Sequence, residues 1–296
     1  MTKAGIFIIF GLLFFFTSPK VFAHEKISTR LQTIDSSIEG LLLDGCYHIY
    51  LDIGANIGVH VRKLFEPEKY PNSPYVPIFD DVFGDVEFRR RHTCAIGFEL
   101  NPVHSEHLTN LQHCYNSKGW RTHFYVPRAV GNSDVHIHHM FPQNDPRHKD
   151  WTANVRETTD NSQGGIPIRS LDLPRFIEAH ICSRKIPELS NATTKPWIQA
   201  KIDIEGSEYS LLPGMLLHRN FCCINGITIE YHEGFLQDPF RIHQIEIQKH
   251  VVALAEVGYG CSPSETVRST ISLLDDESYL EDQQPAPEGC DPFTFL

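Results

Sequence analysis

The chain has 296 residues, 41% of them hydrophobic, and a formal net charge of -11 at pH 7. That is enough length and apolar content for a large α/β domain with a sizeable core. The acidic balance argues against a nucleic-acid partner, because phosphate binding relies on clustered Lys and Arg, and the cluster at Arg89-Arg90-Arg91 reads as a solvated helix end.

At the start of the chain, Lys3 precedes an apolar run from Gly5 to Phe16, and Val21-Phe22-Ala23 places small or short side chains, Val21 and Ala23, at the positions a signal peptidase reads. Residues 1–23 are therefore predicted to be a secretory signal peptide. The run is shorter than the ~20 residues that cross a bilayer, so no stable membrane span is expected after cleavage. Cys46, Cys94, Cys114, Cys182, Cys222, Cys223, Cys261 and Cys290 form an even set that an oxidising compartment can pair. A luminal or secreted, disulfide-bonded protein is the expectation. Spacing leaves the connectivity open, and no CxxC motif points to zinc. Asn191-Ala192-Thr193 is an N-glycosylation acceptor in a polar, Pro-flanked stretch, which predicts a glycosylated surface loop.

Residues 24–45 carry Ile27, Leu31, Ile34, Ile38, Leu41 and Leu42 near helical spacing and read as a helical lead-in. A first strand, from about Cys46 to Asp52, breaks into the turn Gly54-Ala55-Asn56-Ile57-Gly58, and a helix starts at Val59. Gly54 and Gly58 allow a sharp bend and close approach of a ligand, and amides at a helix start favour polar or anionic groups. Pro67, Pro71, Pro74 and Pro77 then forbid a continuous helix, so the insertion to about His92 reads as a long loop or flap. A second strand, Thr93 to Glu99, precedes a helix from Val103 to Tyr115 and a third strand near Arg121 to Val126, with Ala129 to Asn132 turning out of it.

Residues 141–165 are polar and irregular. Ile166 to Asp172 reads as a short strand, followed by a helix from about Pro174. Trp197 to Gly206 is a further strand and turn, followed by a helix from Ser207 to Leu217 and a strand from Gly226 to His232. A helix from Ile242 to Val257 and strands near Tyr259 and Ile271 complete the pattern, and the acids from Asp275 to Asp282 read as a solvated tail, residues 275–296. Alternating strands and helices imply a mostly parallel sheet covered on both faces.

Asp52, Glu99, Asp203 and Glu230 each close a strand, and parallel strands deliver their ends to one edge of the sheet. An acid at the end of the second strand is placed to accept the hydroxyls of a ribose, so Glu99 is assigned to a ligand. Dinucleotide folds place that acid about 20 residues past the glycines, and the Pro-rich insertion has widened the gap here. Asp172 reads as a helix cap. His136 and His138 share a strand face, but two histidines without a third ligand are more often surface residues, and no metal is assigned.

YLDIGANIG, GFELNP (Gly97 to Pro102), AVGN (Ala129 to Asn132), SLD (Ser170 to Asp172), KIDIEGSEYSLLPGM (Lys201 to Met215) and IEYH (Ile229 to His232) occur in an order that resembles the FkbM-type S-adenosylmethionine-dependent methyltransferases over residues 46–274. The resemblance implies a Rossmann-like class I methyltransferase fold: a mostly parallel seven-stranded sheet with helices on both faces and an antiparallel terminal strand. It implies that Asp52, Gly54, Asn56 and Gly58 line the methionine and ribose of S-adenosylmethionine, that Glu99 binds the ribose hydroxyls, and that Asn132 or its neighbours lie beside the adenine. Asp203 and Glu205 would face the methyl group and acceptor, with Glu230 and His232 on the next strand. The implied activity is O-methyl transfer to a carbohydrate or other small hydroxylated acceptor, with His232, as a neutral imidazole, or Asp203 as the base. A secreted binding protein that keeps the fold without catalysis is the alternative. A nicotinamide-dependent oxidoreductase is disfavoured because Gly-Ala-Asn-Ile-Gly lacks the closely spaced glycine pair of GxGxxG.

Overall fold

The computed structural model describes residues 43, 45–134, 137–141, 154–156, 165–236, 239–262, 269–274, 276, 282 and 284–290. The predicted signal peptide, nearly all of the helical lead-in and the side chains of His136 and His138 lie outside these residues.

The central sheet holds β1 (His48–Ile53), β2 (Thr93–Phe98), β3 (Thr122–Tyr125), β8 (Ile198–Ile202), β9 (Gly226–Ile229) and β10 (Thr270–Leu273) in the order β10-β9-β8-β1-β2-β3. Every neighbouring pair is parallel. A smaller mixed sheet, in the order β4-β7-β5-β6, contains β4 (Ala129–Gly131), β5 (Ile137–Phe141), β6 (Asn154–Arg156) and β7 (Ile166–Asp172). This is a Rossmann-like α/β architecture with six strands in its main sheet. The expected seventh strand and antiparallel terminal strand are not found among the described residues. Thr270–Leu273 pairs parallel with β9, and the chain around Tyr259 is a turn rather than a strand.

β1 shows why both faces are covered. Ile49, Leu51 and Ile53 join one buried cluster, and Tyr50, one residue out of phase, joins the other. The first cluster also takes Leu211, Leu212 and Met215 of helix α6 (Glu208–Leu217), Val251 and Ala255 of α7 (Arg241–Glu256), and Phe176 of the short α5 (Leu173–Phe176). The second takes Leu64 and Phe65 of α1 (Val59–Phe65), Tyr75, Phe79 and Phe83 of α2 (Tyr75–Phe83), and Leu108 and Leu111 of α4 (Ser105–Ser117).

The Pro-rich insertion is not a loop. It folds into α2 and α3 (Val86–His92), with a 3₁₀ turn at Pro67–Lys69. Pro74 precedes α2 and Pro77 lies in its first turn, where backbone N–H groups have no intrahelical acceptor, so neither proline costs a hydrogen bond. Tyr75, Phe79 and Phe83, spaced four apart, then press one stripe onto the sheet. Asp85 caps α3 by accepting the Phe88 N–H at 2.8 Å.

Two further expectations are corrected. Arg89 is fully buried, bonded to the Leu64 carbonyl at 2.7 Å and paired with Asp80; only Arg91 of the triplet is exposed. Asp276 and Asp282 of the acidic tail are likewise not solvated. Asp276 meets buried Lys63 at 2.6 Å, and Asp282 meets buried Arg62 at 2.8 Å, so these acids are counterions for α1. Cys114–Cys290 anchors the same segment to α4.

All eight cysteines are paired: Cys46–Cys94, Cys114–Cys290, Cys182–Cys223 and Cys222–Cys261. The four bonds fit an oxidising, secretory environment. Among the described residues no helix is long and apolar enough to cross a membrane. Asn191 is exposed in a turn, where a glycan could be attached.

Candidate functional site

Strand order reverses between β1 and β8, with β2 and β3 on one side and β9 and β10 on the other. In parallel α/β sheets that reversal opens a crevice at the carboxyl ends of the strands. Here both strands break into tight turns at that point, and the two turns touch. Gly54 has φ +85°, and a Cβ on it would lie 1.8 Å from the Asp203 carbonyl oxygen, so only glycine fits. Gly54 and Ala55 donate to the Phe98 carbonyl at 3.0 and 2.9 Å, and His107 Nε2 lies 3.0 Å from the Ile57 carbonyl. The turn is thus pinned from β2 and α4.

Glu99 is 7% exposed and serves both the turn and the site. One carboxylate oxygen accepts the Asn56 N–H at 2.7 Å and the other the Asn101 N–H at 2.6 Å. Each oxygen keeps a second acceptor position. Burial pushes its pKa up to about 7, against the lowering effect of those two amides. Asn56 adopts φ 49°, and its buried Oδ1 has no hydrogen-bond partner in the protein.

Asp52 aligns with Lys201 on β8 and Gly97 on β2. It is fully buried, and neither of its oxygens has a hydrogen-bond donor; Lys201 Nζ stands 3.8 Å away. Burial raises its pKa to about 6, with Asp203 adding to the rise and Lys201 opposing it. Lys201 reaches across the switch point, donating to the Gly54 carbonyl at 2.8 Å and pairing with Asp203 Oδ2 at 2.9 Å.

Beyond Asp203 the carboxylates gather around one imidazole. His232 Nε2 lies 3.2 Å from Glu230, 3.5 Å from Glu205 and 3.8 Å from Asp203, and Nδ1 lies 3.0 Å from Glu208. Glu208 is fully buried and also accepts the Ile204 and Gly206 N–H groups, at 2.8 and 2.9 Å. It therefore fixes both the Asp203–Ser207 turn and the histidine ring. Burial opposes a charge on His232, but the bonds to Glu208 and Glu230 and the charge of Glu205 outweigh it, raising its pKa to about 11. These carboxylates favour the imidazolium form, which weighs against His232 as a neutral base. Glu205, by contrast, is pushed up to about 7, first by burial and then by the neighbouring Asp203, Glu208 and Glu230.

The structure thus brings Asp203, Glu205, Glu230 and His232 into one cluster, and sets Asp52 and Glu99, at the ends of β1 and β2, beside the turn that carries Gly54 and Asn56. Gly58, at φ +80°, caps α1 against Leu108, Leu111 and Phe124, so its part is in packing the turn. Asn132 is an exposed residue whose Nδ2 donates to the Ser210 carbonyl at 2.7 Å and whose side chain fills the space above Gly214, which ties β4 to α6. Sequence reasoning passed over Lys201 and Glu208. Both stand in the KIDIEGSE segment, and the signal available was register: Lys201 is opposite Asp52, and Glu208 follows the turn as an acid in the first helical turn.

No family model, curated protein or solved structure matches the chain.

Proposed function

We propose that the protein is an S-adenosylmethionine-dependent O-methyltransferase of the Rossmann-like class, acting in the secretory pathway or outside the cell on a hydroxyl of a carbohydrate or another small hydroxylated acceptor. The observation that carries this reading is the paired Gly54 and Asp203 turns at the switch point, flanked by acids on four adjacent strand ends. The order of motifs resembling FkbM-type methyltransferases supports it.

The residues present fit the cofactor. Buried Asp52 and Asn56 Oδ1 lack donors, and Glu99 has spare acceptor positions suited to a ribose diol. Acids outnumber cations: Lys201 and His232 stand among Asp52, Asp203, Glu205, Glu208 and Glu230, a balance that favours a positively charged ligand. When bound, the cofactor supplies an electrophilic sulfonium methyl that an acceptor oxygen takes as the sulfur–carbon bond breaks. The protein's own work is to align that oxygen and remove its proton. Glu230, 3.2 Å from His232 Nε2, is the proton acceptor, Glu205 faces the acceptor hydroxyl, and Glu208 holds the His232 ring beside them from Nδ1.

The test is transfer of labelled methyl from S-adenosylmethionine to a panel of glycans and small hydroxylated metabolites. The expected result is a methylated product whose rate falls about 100-fold or more in Glu205→Gln or Glu230→Gln. Absence of cofactor binding, together with absence of transfer to every acceptor, would overturn the reading.

A further inference from the structure

We propose that Asp203, Glu205 and His232 form a binding site for a divalent transition-metal ion at the carboxyl edge of the sheet. Each offers one donor atom, and the three atoms lie within 4.8 Å of one another. Metal–oxygen and metal–nitrogen bonds of about 2.0–2.2 Å put donors around one ion roughly 3 to 4.4 Å apart, so a small contraction closes the set. The donors come from the ends of two neighbouring strands, β8 and β9, whose spacing is fixed by the sheet.

The histidine is oriented as a ligand. Glu208 holds Nδ1 at 3.0 Å and is itself locked by two backbone amides, which leaves Nε2 directed at the carboxylates. A carboxylate on the far ring nitrogen is the outer-sphere arrangement that metal-bound histidines use to set tautomer and angle. Nε2 now stands 3.2 to 3.8 Å from three carboxylates, so a single N–H is spread over more acceptors than it can serve. Next along the edge, fully buried Asp52 has no donor to either oxygen and shares Lys201 with Asp203, so the negative surplus is not discharged within the protein. Binding of the ion would displace the Nε2 proton to solvent and place two positive charges among these acids. An imidazole with two carboxylates suits manganese or zinc better than calcium.

Three protein ligands leave coordination positions open for oxygen atoms of a small molecule. Resting on the reading of this cleft as a methyl-transfer site, the ion would hold the acceptor hydroxyl and lower its pKa, and Glu230, outside the ligand set, would take the proton.

The experiment is an electron paramagnetic resonance titration of Mn²⁺ into the intact, chelator-treated chain without S-adenosylmethionine. The expected result is loss of the free Mn²⁺ signal equivalent to one ion per chain, reversed by excess Zn²⁺, with at least about tenfold weaker binding in Glu205→Gln and in His232→Gln. Glu208→Gln should weaken binding by about 10–100-fold without removing a ligand. Circular dichroism melts confirm that each variant is folded. If one fails to fold, the Zn²⁺ competition and the remaining variants decide. No Mn²⁺ bound at millimolar concentration, or affinity unchanged in the folded ligand variants, would overturn the proposal. Cofactor affinity of the chelated protein is measured separately, so that Mn²⁺ binding without cofactor binding sinks the methyltransferase reading alone, and the converse sinks the metal site alone.

Discussion

The two ends of the central sheet treat histidine in opposite ways. His48, at the start of β1, is fully buried beside Tyr47, Phe83 and Phe88, with ring centroids 4.8, 5.2 and 5.8 Å away. Its Nδ1 accepts the Trp197 N–H at 3.1 Å, and Nε2 lies 3.2 Å from the Thr194 hydroxyl. Burial, reinforced by the charges of Arg184 and His92, lowers its pKa to about 4. His232, just past β9, is also largely buried but meets carboxylates where His48 meets rings, and its pKa moves the other way, to about 11. Burial alone makes a neutral packing element of one; an acid surplus makes a charged centre of the other. In a parallel sheet the strand starts can be closed over as core, whereas the strand ends are where unbalanced charge collects for a ligand.

The largest effect expected is from Glu208→Ala, which removes the acceptor for two backbone amides and the partner of His232. Loss of charge-assisted hydrogen bonds predicts a fall in unfolding free energy of about 3–4 kcal/mol in urea titrations. A change below about 1 kcal/mol would mean that the turn does not depend on this carboxylate. Next is acidification at the opposite end. His48 has a lowered folded pKa, so its contribution is present above the unfolded value of 6.5 and is lost as pH falls through about 4. The loss is on the order of 3 kcal/mol by pH 4, and His48→Asn should flatten that part of the stability–pH curve. His232 has a raised folded pKa, so its contribution is present below 6.5 and is lost as pH rises through about 11. His232→Gln should therefore flatten the alkaline limb in chelated protein and leave the acid limb intact. If both variants altered the same limb, the contrast between the ends would fail.

A smaller effect of opposite sign is expected at Asp52. Its raised folded pKa means that it costs stability as pH rises through about 6, and Asn does not ionise. Asp52→Asn should gain roughly 1–2 kcal/mol at pH 8 while weakening cofactor binding, a trade common where a site holds a strained charge. Stability unchanged at pH 8 would show that Lys201 already neutralises the group.

Much of this edge was legible in the sequence because it is local. Alternation in β1 and the acids closing β1, β2, β8 and β9 are read within a few residues, and the glycines mark the Gly54 turn directly. What escaped depends on contacts distant in sequence. Lys63 and Asp276 lie 213 residues apart, so nothing near Asp276 reveals that its acid balances a buried cation. The Pro-rich insertion was misread because proline was counted as a helix breaker without regard to position; Pro77 sits in a first turn, where it is tolerated. The upward shift of the His232 pKa was only partly legible, since the first of the carboxylates that raise it, Glu208, stands 24 residues earlier in the chain.

The central claim is that the carboxyl edge, and not the aromatic-packed opposite end, binds S-adenosylmethionine. Isothermal titration of S-adenosylmethionine into the wild-type chain, Asp52→Asn and His48→Asn tests it at pH 7. The account predicts one binding event per chain, weakened at least about tenfold in Asp52→Asn and unchanged in His48→Asn. No heat of binding to the folded wild-type chain, or equal affinity in the wild type and Asp52→Asn, would contradict it.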